Sequence, residues 1–284
     1  MISHSLLHTA RSRITQRLFS ITKPANEQLA LVLGSSGALG SAIVSHLQKS
    51  SCDVTIIGAD IKMNDKVNVD AFIYLKGVSI NAISSELENS FHDLFESKPE
   101  FDAIICANGG FAMDTDALSE KMMEMNYNPV AAACSEQILP YIAPDNGLFV
   151  AFGATAANTP VDDASPMKEY IKSKRKVHDH IQKLGNMTGK ALQKSKGVNI
   201  AQQRKIFKCL HELTALAVLP STLDTEINRK AMNPSKEDLE EWTKLEEVAE
   251  EIGTWIKMED LRPHSGGLIK CVTKNGESDF IISR

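Results

Sequence analysis

Tyr170 and Lys174 stand four residues apart in Tyr170-Ile-Lys-Ser-Lys174. On a helix this spacing puts both side chains on one face, within reach of each other. An ammonium beside a phenol favours the phenolate and lowers the tyrosine pKa from about 10 toward physiological pH. Such a pair is a proton donor for a reduction. A second set of residues is suited to hold the electron source. Gly34, Gly37 and Gly40, with Ala38 and Leu39 between the last two, follow an apolar run at 29–33 and precede Ala42, Ile43 and Leu47 at helical spacing. Strand, glycine turn and helix is the arrangement in which backbone N–H groups meet a pyrophosphate. The spacing is G-x-x-G-x-x-G rather than G-x-G-x-x-G, which leaves a purely structural turn as the alternative.

Asp60 lies about 20 residues beyond Gly40, after an expected strand at 54–57, where an acid hydrogen-bonds an adenosine ribose diol. A carboxylate there repels a 2′-phosphate and favours NADH. Lys62 partly offsets the charge and leaves NADPH possible. Asn108, Gly109 and Gly110 follow an expected strand at 101–106 and fall beside the cofactor crevice. Asn126 lies within an expected helix at 122–138, where a buried Asn serves either as a structural cap or as a catalytic group.

The elements that would position these residues alternate. Apolar runs at 29–33, 54–57, 101–106, 147–152, 213–219 and 268–272 read as strands. Helical periodicity covers 80–95, 122–138, the stretch from Tyr170 through Leu184, and an acidic segment at 237–256. The expectation is α/β: a single doubly wound Rossmann-type domain over 25–284, with a mostly parallel sheet flanked by helices. The polar stretch 221–232 reads as a loop closing over a cofactor. Segment 183–211 holds Lys183, Lys190, Lys194, Lys196, Arg204, Lys205 and Lys208 and no acid. A solvated basic insertion is the plainer reading, and a patch for an anionic partner the sharper one.

Of the 284 residues, 43% are hydrophobic and 24% charged, enough for a sizeable core. The formal charge of −5 gives no whole-chain case for nucleic-acid binding. No run approaches the roughly 18 apolar residues of a membrane span. Cys52, Cys106, Cys134, Cys209 and Cys271 are scattered, which argues for reduced thiols in an intracellular compartment, with no disulfide framework and no metal site. Segment 1–24 differs from the rest. Arg11, Arg13, Arg17 and Lys23 meet no acid before Glu27, and Leu6, Leu7, Ile14, Leu18 and Phe19 form one apolar face. This is the composition of a mitochondrial transit peptide, and Arg17-Leu18-Phe19-Ser20 resembles a matrix-protease cleavage site. A matrix location is expected; a disordered tail on a cytoplasmic protein is the alternative.

Taken together, the glycine turn, Asp60, Asn108-Gly109-Gly110, Asn126 and Tyr170-x-x-x-Lys174 resemble the short-chain dehydrogenase/reductase superfamily. The narrower resemblance, from about residue 29 to 280, is to dihydropteridine reductases. It is carried by Gly34-Ser-Ser-Gly-Ala-Leu-Gly-Ser41, Phe101-Asp-Ala-Ile-Ile-Cys-Ala-Asn-Gly-Gly110, Ala217-Val-Leu-Pro-Ser-Thr-Leu-Asp-Thr-Glu-Ile-Asn-Arg-Lys230 and Arg262-Pro-His-Ser-Gly-Gly-Leu-Ile269. The resemblance implies a homodimer that reduces a quinonoid dihydropterin with NADH. It implies that Gly34, Gly37 and Gly40 hold the pyrophosphate and that Asn108, Gly109 and Gly110 line the crevice. Lys174 would bind the nicotinamide ribose, and Tyr170 would protonate or hydrogen-bond the substrate. The loop from Pro220 through Leu223 to Asn228 would border the nicotinamide, and Phe111 would offer an aromatic platform to the pterin. Two departures stand out. The superfamily's catalytic serine has no counterpart near 153–157, where Ala154 is the nearest match and Thr155 the only hydroxyl; dihydropteridine reductases also tend to lack it. The basic insertion is longer than the family's loop. A reductase of another quinonoid or carbonyl compound, and a nucleotide-binding protein whose chemistry has lapsed, are the rival readings.

Overall fold

A computed structural model describes residues 27–50, 53–111, 118–162, 164–187 and 212–283. The leader 1–24 and most of the basic insertion, 188–211, lie outside the described residues, as do Cys52 and Cys209. Among the described residues eight strands form one sheet in the order β3-β2-β1-β4-β5-β6-β7-β8. The strands are β1 Gln28–Leu33, β2 Val54–Asp60, β3 Ala71–Tyr74, β4 Ala103–Cys106, β5 Leu148–Phe152, β6 Thr214–Leu219, β7 Gly267–Lys274 and β8 Glu277–Ile282. The first seven are parallel and β8 pairs antiparallel with β7. The doubly wound expectation is met. No helix among the described residues is long and apolar enough to cross a membrane.

The central strands are apolar on both faces because helices cover both. Leu29, Leu31 and Leu33 enter one core with Ile104, Cys106 and Phe149, while Ala30 and Val32 enter the other with Ile105 and Val150. Helix α1, Ala38–Lys49, covers the second face together with the later helix Leu245–Lys257. Their contact includes Ile43, Val44 and Leu47 against Val248, Ile252 and Trp255. Helix α2, Ile80–Leu94, packs on the first face through Ile83, Leu87 and Phe91. Ser79 caps α2 by accepting from the Ala82 amide at 3.3 Å.

Four expectations need correction. The periodicity at 122–138 predicts one helix, but the chain makes two: α3, Leu118–Asn126, and α4, Asn128–Ala133. Pro129 in the first turn of α4 has no N–H to continue the preceding helix. The acidic segment at 237–256 is likewise two helices, with a buried stretch between them at Trp242 and Thr243. There the Thr243 amide donates to Thr222 O and Thr243 O accepts from the Asp224 amide, both at 2.9 Å. Tertiary backbone bonds outcompete the helix at that point. The stretch 221–232, expected as a loop, closes with a short helix, and β3 and β8 had no strand assigned to them. In chain order the remaining helices are α5, Lys168–Asn186; α6, Glu226–Met232; α7, Lys236–Glu240; and α8, Leu245–Lys257.

Phe91 joins α2 to the edge of the sheet, with ring centroids 5.0 Å from both Phe101 and Tyr141. It is 1% exposed, so truncation leaves a cavity the surrounding rings cannot refill. Phe91→Ala should lower unfolding stability by about 3–5 kcal/mol, read as a shift in urea midpoint at constant slope.

Candidate active site

Strands β1 to β3 are laid down in one direction across the sheet and β4 onward in the other, so the strand order switches between β1 and β4, and the crevice beyond their carboxyl ends is where ligands bind such sheets. Gly34 leaves β1 with φ 77°, a left-handed conformation, and a Cβ there would come within 2.7 Å of the Asn108 amide nitrogen. A Cβ on Gly40 would overlap the Gly34 carbonyl oxygen. The first turn of α1, at Ala38, Leu39 and Gly40, therefore lies tight against the turn. Gly37 precedes it without a side-chain cap, and no acid sits in that first turn. The free N–H groups and the helix dipole make this a cradle for an anion.

Asp60 ends β2 beside that cradle. Its Oδ2 accepts from the Ser36 amide at 2.9 Å and its Oδ1 from the Ile61 amide at 2.7 Å. The carboxylate thus ties the glycine turn to β2 as well as standing where a ribose diol would meet it. Ser36 Oγ and Asn108 Oδ1 are buried without a hydrogen-bond partner. Such orphaned groups are rare in a folded chain. Together with the uncapped helix they fit a dinucleotide, whose phosphates and ribose hydroxyls are the partners these atoms lack.

The reacting side is built on α5, where Tyr170 and Lys174 continue, toward the helix N-terminus, the stripe that buries Val177, Ile181 and Leu184. Tyr170 and Lys174 lie on one face, as the spacing predicts, with the ammonium 5.9 Å from the phenol ring centroid. Lys174 is 4% exposed and its Nζ donates to Phe152 O at 2.8 Å. Asn126, at the end of α3, clamps Gly110 from both sides. Its Oδ1 accepts from the Gly110 amide and its Nδ2 donates to Gly110 O, each at 3.1 Å. A Cβ on Gly109 would sit 3.0 Å from Lys174 Nζ and 3.2 Å from Asn126 Oδ1, so the β4 exit, α3 and α5 meet at one point. Of the two readings left open for Asn126, the structure shows a positioning group. Phe111 is exposed and meets Tyr170 edge to face, with centroids 5.5 Å apart.

The electrostatics reverse one expectation. The phenol of Tyr170 is pushed up to about 12 by burial, not lowered by Lys174. Burial also lowers Lys174 to about 8, and its ammonium is turned to a carbonyl rather than to the phenol oxygen. Desolvation outweighs the ion–phenol attraction that the spacing suggests. At neutral pH Tyr170 is therefore protonated, and burial makes it a weaker acid than a free phenol.

Two other candidates are occupied by structural work. Thr155 Oγ1 donates to Leu219 O at 2.9 Å and its amide to Pro220 O at 3.1 Å, which fastens the β5 exit to the β6 exit. Asn228, the substrate-side candidate of the loop expected to border the nicotinamide, has its Nδ2 donating to Leu223 O at 2.8 Å. Leu223 itself packs partly on the core and bridges to Thr243. His178 is absent from the sequence-based set. It follows Lys174 by one helical turn, and its Nε2 accepts from the Ala154 amide at 3.2 Å. The signal was available: Tyr170, Lys174 and His178 recur at i, i+4 and i+8 on the same face.

No family model matches the chain. A protein of Dictyostelium discoideum named dihydropteridine reductase is 31% identical over 250 residues, covering 86% of this chain and 94% of the relative. The chain belongs to the dihydropteridine reductase family. It is therefore an oxidoreductase of the short-chain dehydrogenase/reductase type, served by an NAD(P)-type nucleotide, and this agrees with the fit of the cradle. Solved structures repeat the fold. The aldohexose dehydrogenase of Thermoplasma acidophilum aligns with a TM-score of 0.62 at 14% identity, covering 86% of this chain and 92% of that one. A short-chain dehydrogenase/reductase family oxidoreductase of Burkholderia thailandensis aligns with a TM-score of 0.62 at 16% identity, covering 90% and 93%.

In this dihydropteridine reductase family member the depressed lysine links stability to pH. The native ammonium loses its proton at about 8, the unfolded one at 10.5. Between those values the unfolded chain binds more protons, so native stability rises with pH through the window. Below pH 8 the buried charge costs on the order of a few kcal/mol. The gap in urea midpoint between Lys174→Met and the native chain should therefore change from pH 8 to 10.5, always in favour of the native chain as pH rises. A flat difference would show that Lys174 is not depressed. Asn126→Ala, which strips both bonds from Gly110, should cost about 1–3 kcal/mol in the same measurement and reduce turnover.

Proposed function

We propose that the chain reduces a quinonoid dihydropterin to the tetrahydropterin, with NADH as the electron source. The observation that carries this reading is the sparse set of hydroxyl donors that the described residues place at the β5 exit. Tyr170 is a firmly protonated phenol beside the exposed ring of Phe111, and the one hydroxyl at the β5 exit, Thr155, already donates to Leu219 O. Reduction of an ordinary carbonyl asks for added donors to steady the growing alkoxide. A quinonoid pterin is already polarised and asks for less. The relative named dihydropteridine reductase supports the same substrate class.

Gly34, Gly37 and the first turn of α1 would hold the phosphates, and Asp60 would meet the adenine-side ribose. Asn108, Gly109 and Gly110 would line the crevice, with Pro220 and Leu223 at its other wall. The reduced nicotinamide supplies the hydride when bound. The chain's own part is to orient and to protonate. Phe111 offers its face to a flat heterocycle, Tyr170 Oη delivers the proton that balances the hydride, and Lys174 Nζ is placed to bind the nicotinamide-side ribose. Asp60 keeps both oxygens on backbone amides at the end of β2, which fixes its carboxyl group where a 2′-phosphate would have to fit. This supports NADH over NADPH. A homodimer, and a matrix location directed by 1–24, complete the reading; sequencing the native N-terminus tests the second, and retention of residues 1–19 counts against it.

The decisive assay couples NADH oxidation to quinonoid dihydropterin. The purified protein should outpace the uncatalysed reaction and should use NADH in preference to NADPH. Tyr170→Phe should bind NADH normally and lose about 10²- to 10⁴-fold in kcat. No enhancement over NADH alone would end the pterin assignment, and faster turnover of a quinone in a parallel panel would favour the rival reductase reading. Native turnover by Tyr170→Phe would remove the donor role.

A further inference from the structure

Two successive turns of α5 grip two successive peptide units of the β5 exit. Lys174 Nζ donates to Phe152 O at 2.8 Å, and one turn later His178 Nε2 accepts from the Ala154 amide at 3.2 Å. Between these anchors lies Gly153, whose amide donates to Val218 O at 2.9 Å. A Cβ on Gly153 would overlap the imidazole at Nε2 and press on Leu219. The histidine ring thus occupies the space that the missing side chain leaves and bonds the next amide along. His178 is 3% exposed.

We propose that His178 is a positioning residue for the reductase reaction, holding the peptide at Gly153 and Ala154 so that the Phe152 carbonyl stays aimed at Lys174. The inference deepens the reductase reading and rests on it. An amide can only donate, so Nε2 must be unprotonated and the ring neutral with its proton on Nδ1. Burial, with the charges of Lys174 and Arg175, holds the imidazole at about 4 and keeps that tautomer through the working pH range. Without the acceptor, the Ala154 amide would be buried and unpaired. Gly153, having no Cβ to restrict it, would then be free to turn. Only the Val218 bond on the Gly153 amide would then hold that peptide unit from this side, and the Phe152 carbonyl at its other end would pivot about it, away from the ammonium. A displacement of this size near the reacting groups costs rate more than binding.

The test compares H178L, which fills the space without an acceptor, with H178Q, which keeps one. The first readout needs no cofactor: amide hydrogen exchange at Ala154 in the free protein. Protection should be high in the native chain and in H178Q and lost in H178L. In the NADH-coupled assay kcat of H178L should fall on the order of 10²-fold, with KM for quinonoid dihydropterin changed by less than about threefold. H178Q should recover most of the rate. Should H178L not fold, H178M, apolar but flexible, takes its place. Retained protection or native kcat in the apolar variant overturns the proposal, as does a rise in KM with kcat unchanged. If the native protein does not turn over the pterin, the substrate reading falls, and Ala154 exchange alone then decides for or against His178.

Discussion

A buried ammonium is the constraint on which the site depends. Removing the charge of Lys174 from water is costly, and the Phe152 carbonyl is the acceptor that makes its position tolerable. That carbonyl is useful only if β5 ends where it does, and the β5 exit is itself fastened to β6 through Thr155 and Val218. On the other side, a Cβ at Gly109 would stand only 3.0 Å from the ammonium, and Asn126 holds the adjoining Gly110 by both its amide and its carbonyl. Three strand ends and two helices therefore converge on one nitrogen atom. The phenol of Tyr170 shares this poorly hydrated neighbourhood and keeps its proton as a result.

The nucleotide side follows a different logic, since it is made almost wholly of backbone. Gly34 and Gly40 let α1 start close to the sheet, and the peptide groups themselves do the binding. Asp60 joins the turn to the sheet by tethering the Ser36 amide to the end of β2. This economy explains how the irregular glycine spacing works. What matters is that Gly34 turns the chain and that Gly40 fits against its carbonyl, not the number of residues between them. The orphaned oxygens of Ser36 and Asn108 mark the region as one that awaits a polar ligand.

Much of this was legible in the chain itself. The alternation of apolar runs and helical faces announced a doubly wound sheet, because period and length are local properties that burial on both faces leaves in the sequence. The glycine turn, Asp60 and the Tyr170/Lys174 spacing were readable for the same reason, each being a short-range pattern. The errors fell where distant segments decide. The helix break at Thr243 comes from its backbone pairing with Thr222 and Asp224, which only the folded loop brings near. Edge strands β3 and β8 are only partly buried, so the runs at 71–74 and 277–282 lack the two-sided burial that marks the central strands.

The sequence by itself determined the fold class, the family and the residues able to do chemistry, since all three are written in spacing and residue type. Tertiary structure alone decided their electrostatic state and their tasks. Spacing said that Lys174 would draw the proton off Tyr170, but burial of both groups proved the stronger effect and raised the phenol instead. Only the packed chain placed His178 under Gly153 and the Ala154 amide. Desolvation and the pairing of buried amides depend on everything that surrounds an atom, and no local pattern in the chain records that.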